Sequence, residues 1–147
     1  MKLKEIIALI ERHAPLIYQE SYDNSGLQVG DYNSEVSSAL VTLDVTEEVI
    51  AEAKKHGCDL IIAHHPVIFG GLKAVAGRNA VERIIRDAIR SDIAIYAAHT
   101  NMDAVPHGVN GKIAEKLGLQ KTRILEPVAG KLKKLVVFVP SDHAGKL

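Results

Sequence analysis

The strongest constraint on this chain is a repeated alternation of short, β-branched apolar runs with stretches of helical pattern. Ala39 to Leu43, Asp59 to Ala63 and Ile93 to Ala98 each have the length and composition of a buried strand. Between the first two, Thr46 stands where a helix N-cap is needed, and Glu47 and Glu48 suit the positive end of the helix dipole. Gly57 can close that helix in the left-handed conformation. Between the second and third, Val81 to Ile89 places Ile84, Ile85 and Ile89 on one side of a helix. Strands joined by helices require crossover connections, which predicts an α/β fold with a largely parallel or mixed sheet and helices on both faces.

The flanking segments are read from the same periodicities. Lys2 to His13 spaces Leu3, Ile6, Ile7 and Ile10 as one face of an amphipathic helix, and Pro15 stops it. Residues 18 to 33 are dense in turn formers and are expected to be a structured loop anchored by Leu27 and Val29. Val109 to Leu117, ended by Gly118, predicts another helix. Leu132 to Val139 is strand-like, and Ser141 to Leu147 resembles the start of a helix. A strand and half a turn cannot bury themselves. The expected division is therefore an α/β domain over 1–130 and the beginning of an incomplete further module over 131–147.

Composition excludes several function classes. Eighteen basic and eighteen acidic side chains cancel and are interspersed, so no basic stripe marks a nucleic-acid partner. No apolar run approaches the roughly 20 residues that span a bilayer. One cysteine, Cys58, permits no internal disulfide, and the N-terminus lacks a secretory pattern, so a cytoplasmic setting is expected. Cys58 itself reads as a packed thiol. No nucleophile elbow, P-loop or dinucleotide fingerprint is present.

In an open parallel sheet, ligands bind beyond the carboxyl ends of the strands. Two polar clusters fall there: His64-His65-Pro66 after Ala63, and His99-Thr100-Asn101-Met102-Asp103 after Ala98. Imidazoles and a carboxylate suit zinc, iron or manganese. Adjacent residues of an extended chain point to opposite sides, so His64 and His65 can share a site in two ways. Either the backbone turns sharply, or each serves a different ion of a dinuclear centre; Pro66 holds His65 extended and favours the second. Asp103 could bridge or bind an ion. Asp44 is a candidate acceptor for a ligand His, with helix entry as its structural alternative. Asp23-Asn24-Ser25-Gly26 is a candidate substrate contact or an Asx turn. His99 is a candidate for handling protons or substrate, against a structural role. His13, His56, His107 and His143 read as surface or cap residues.

Four of these stretches, in this order, resemble the N-terminal half of the NIF-three-like family, whose members are often labelled GTP cyclohydrolase 1 type 2 homologues. They are Ser21 to Gly30, Leu43 to Thr46, Ile62 to Pro66 and His99 to Asp103. The resemblance implies that His64, His65 and Asp103 bind a pair of divalent metal ions. It also implies that a His and a Glu four residues apart, from the C-terminal half, complete the site. Nothing here matches that last pair, since Leu147 stands four places after His143. The region from Leu132 is similar to the first strand of a ferredoxin-like module that some members carry. The implied activity is a metal-dependent hydrolase with His99 as its proton- or substrate-handling group. Its substrate would be nucleotide-like or another small phosphorylated or cyclic molecule, and the alternative is a metal-binding regulatory or scaffold protein. The family resemblance further implies a homo-oligomer, a hexameric ring in intact members.

Overall fold

The computed structural model describes residues 1–125, so the strand and helix start expected beyond Leu132 lie outside the described residues. The elements run α1 (Leu3–His13), β1 (Gly26–Val29), β2 (Ala39–Thr42), α2 (Glu47–His56), β3 (Leu60–Ala63), α3 (Ala80–Arg90), β4 (Ala94–Ala97), α4 (Thr100–Asp103) and α5 (Val109–Lys116). A short 3-10 turn, Leu16–Tyr18, follows α1.

The expected α/β architecture is present as one mixed sheet of order β1-β4-β3-β2. β2, β3 and β4 pair in parallel, with Ala39, Leu40, Val41 and Thr42 opposite Leu60, Ile61, Ile62 and Ala63. β1 runs antiparallel to β4 at the edge. This strand corrects the expectation of a loop over 18–33. Its four residues, Gly-Leu-Gln-Val, carry no strand signature of their own, and pairing with β4 makes the strand. The chain leaves it through Gly30 at a positive φ of 129°, where an added Cβ would stand 2.8 Å from that of Ala94. Glycine is required there by both backbone angle and space.

Helices cover both faces. On one, Leu3 and Ile7 of α1 pack with Val36, Leu60, Ala94, Tyr96 and Ala98. On the other, Ile50 and Ala53 of α2 and Ile84, Ile85 and Ala88 of α3 meet Ile61, Ala63 and Ile95. Cys58 packs against this second cluster. Each fully buried Leu or Ile of these clusters contributes about 1.5–3 kcal/mol. The caps follow the sequence: Thr46 Oγ1 accepts from the Val49 N–H at 3.3 Å, and Gly57 adopts φ 64° at the C-cap. Among the described residues, no helix is long and apolar enough to cross a membrane.

One buried polar residue ties α1 to the end of β4. Asn101 is fully buried; its Nδ2 donates to the Ala14 carbonyl at 2.7 Å, and its Oδ1 accepts from the His99 N–H at 3.0 Å. Asn101→Ala would leave both partners unsatisfied and is expected to cost on the order of 2–4 kcal/mol in urea unfolding. Exposed Glu52→Ala, on the solvent side of α2, should stay within about 0.5 kcal/mol.

Candidate metal centre

The site lies beyond the carboxyl ends of β3 and β4. At the end of β3 the His64 N–H bonds to Thr42 O at 3.1 Å, and the His65 N–H bonds to Leu43 O at 2.9 Å. In a regular strand, consecutive N–H groups point to opposite neighbours. Two successive bonds to the same side show that the backbone has turned at His64 and His65. The two rings stand with centroids 5.0 Å apart.

His99 arrives from β4 and closes the group, its ring 5.2 Å from His64 and 5.5 Å from His65. One ring nitrogen from each of the three lies within 4.8 Å of the others. In every case Nδ1 is already engaged. His64 Nδ1 bonds to the Ala98 carbonyl at 2.9 Å, His65 Nδ1 to Asp44 Oδ1 at 2.7 Å and His99 Nδ1 to Asp23 Oδ1 at 2.9 Å. An acceptor at Nδ1 fixes the proton there and leaves the Nε2 lone pair free, which is the arrangement of a ligating imidazole. Asp44 is thus the acceptor the sequence suggested, while Thr46 does the capping.

Asp103 belongs to α4, a single helical turn that the sequence reading did not foresee. Spacing of four residues puts it on the same side as His99, and its Oδ1 lies 3.9 Å from His64 Nε2. His64 and Asp103 therefore face a common space.

Asp23 is the residue whose role the sequence concealed. Its side chain is fully buried. Burial alone would raise its carboxyl pKa, but hydrogen bonds from Thr100, His99, Ser25 and the Asn24 N–H together hold it well below the usual carboxylate range. It is an acceptor at any physiological pH. The expected Asx-type turn is there, with Asn24 N–H and Ser25 Oγ donating at 2.6 and 2.8 Å. No pattern within Asp-Asn-Ser-Gly announced that the same carboxylate would orient His99. His13 and His56 are exposed at helix ends and His107 is exposed in the turn before α5, as expected; His143 lies outside the described residues.

The Duf34/NIF3 (NGG1p interacting factor 3) family pattern matches residues 1–144. The chain belongs to this family. It is 45% identical over 141 residues to the GTP cyclohydrolase 1 type 2 homolog of Bacillus subtilis, a match covering 95% of this chain and 38% of that protein. The chain thus spans well under half the length of the curated relatives it matches. Among solved structures, a Bacillus cereus protein related to NIF3 is 48% identical with a TM-score of 0.82, covering 87% of this chain and 35% of that one. Reduced HcgD from Methanocaldococcus jannaschii superposes at TM-score 0.79 and 35% identity, covering 86% and 50%.

The donor set fits a borderline divalent ion: neutral nitrogen ligands already oriented, with a carboxylate beside them. His64, His65 and His99 could together hold one such ion. If Asp44 orients His65, Asp44→Ala should weaken zinc affinity about 10–100-fold in competition with a chromophoric chelator. Because Asp44 is exposed, thermal stability of the zinc-free chain should barely change. Wild-type zinc affinity in that variant would refute the orienting role.

Proposed function

We propose that this chain supplies the N-terminal part of a dinuclear-metal hydrolase centre acting on a small molecule. The observation that carries the reading is the convergence of three imidazoles whose Nδ1 atoms are all held by acceptors, next to Asp103. A surface cluster of histidines has no need of three separate orienting bonds; a ligand set does.

In this reading His64, His65 and Asp103 hold the metal. Zinc, iron or manganese there supplies Lewis acidity and can lower the pKa of a coordinated water to about 7. The protein's part is positional. The Ala98 carbonyl, Asp44 and Asp23 keep the rings aimed, and the turn at His64–His65 keeps two of them on one side. His99 presents Nε2 to the same space and either completes the ligand set or exchanges a proton with the substrate. A cleft of about 390 Å³ borders His65 on the side of α2 and α3, lined by Asp44, Thr46, Pro66, Val81 and Ile84 among others; His64, His99 and Asp103 do not line it. The balanced charge of the chain supports a small molecule over a nucleic acid as partner.

Metal content by elemental analysis and hydrolysis of a panel of phosphorylated and cyclic nucleotides test the reading together. Purified chain should hold at least one equivalent of metal, and His65→Ala and Asp103→Ala should lose metal and turnover in parallel. Metal without turnover, here and in a full-length relative, would favour a regulatory or scaffold role. His99→Ala separates its two roles: as a ligand its loss lowers zinc affinity as His65→Ala does, and as a proton carrier it keeps metal and loses turnover.

A further inference from the structure

Two aromatic rings stand exposed at the edge of the histidine cluster. Tyr22 is 66% exposed and Phe69 is 54% exposed, although large apolar rings gain free energy by burial. Their centroids lie 6.4 Å apart with planes tilted by 50°. Phe69 also meets His99 edge-on at 6.2 Å and 84°. The rings come from separate loops, the approach to β1 and the exit of β3, yet one set of bonds fixes both. Asn24 Nδ2 donates to the Ile68 carbonyl at 2.6 Å, and the Ile68 N–H donates to Gln28 Oε1 at 3.1 Å. These bonds anchor the residue before Phe69 to the segment that carries Tyr22. The residue after Tyr22 is Asp23, whose carboxylate holds His99 Nδ1. Both rings are thus referenced mechanically to a ring of the candidate metal centre.

We infer that Tyr22 and Phe69 form an aromatic subsite that stacks a planar ring of the molecule bound at the centre, which narrows the substrate class to compounds carrying a heteroaromatic ring. The inference rests on the proposed small-molecule site for its setting. Its own basis is physical: rings held open to water, fixed in relative position and tilted against each other offer faces for stacking without any prior rearrangement.

The test compares two probes that differ only in the ring, guanosine 5′-monophosphate and ribose 5-phosphate. Each is titrated calorimetrically into the whole chain, once with zinc and once without. The nucleotide should bind roughly tenfold or more tightly than the sugar phosphate. Phe69→Leu and Tyr22→Leu should each abolish most of that preference, and Phe69→Tyr should keep it. Because both side chains are exposed, the leucine variants should fold normally, which circular dichroism checks. A ring preference that Phe69→Leu removes supports the subsite with or without zinc. Equal affinity for the two probes, or a preference that survives both leucine variants, overturns it. Failure of the metal reading appears separately, as absence of bound zinc in the unsubstituted chain.

Discussion

A carboxylate that has left water sets the terms for the carboxyl end of this sheet. Burying an ion costs several kcal/mol unless its lone pairs are filled, and Asp23 collects donors from two distant stretches of chain. Ser25 Oγ and the Asn24 N–H come from its own turn. The Thr100 N–H and hydroxyl and His99 Nδ1 come from the end of β4. Removing the charge from water therefore obliges the loop before β1 to sit against the loop after β4. Thr100 Oγ1 extends the tie by accepting from the Glu20 N–H at 3.0 Å. The tautomer of His99 and the seating of the β1 approach against the start of α4 follow from one satisfied carboxylate.

The second determinant is the departure of β3 from regular geometry. A continued strand would send His64 and His65 to opposite faces of the sheet, one toward α1 and one toward α2 and α3. The pair of bonds to Thr42 and Leu43 prevents this. β2 can supply both carbonyls because it is an edge strand that itself ends at Thr42, leaving its outgoing backbone free to bend with its neighbour.

What the sequence reveals divides along the range of the interactions. β2, β3 and β4 and helices α1, α2, α3 and α5 are legible because each carries its own periodicity, and Thr46 and Gly57 mark boundaries through local backbone chemistry. The two histidine-bearing loops are legible as positions, since a parallel sheet concentrates ligands at one end. β1 is not, because Gly-Leu-Gln-Val becomes a strand only by pairing with residues some seventy positions away. Asp23 as the partner of His99 is hidden for the same reason: a contact across 76 positions leaves no local trace. The turn at His64–His65 is held by bonds to Thr42 and Leu43, more than twenty positions away, and so leaves no local trace either. Asp44 sits between these cases, near enough to a strand end to be suspected and confirmed only by the 2.7 Å contact.

Charge arithmetic at the centre bears on how many ions such a site tolerates. Neutral imidazoles bring no charge, while Asp23, Asp44 and Asp103 together bring a formal minus three within or just behind the ligand shell. One divalent ion leaves the surroundings at minus one, and two leave them at plus one. In a partly desolvated site either residual charge is tolerable, but a second ion held only by the described donors would be short of ligands. A further carboxylate, such as the glutamate that the family resemblance implies from the C-terminal half, would bring a pair of ions to neutrality. The two apolar clusters that form the core contain none of the candidate ligands. A core of that kind is what small zinc modules lack, so bound metal is expected to add stability by mass action rather than supply the free energy of folding.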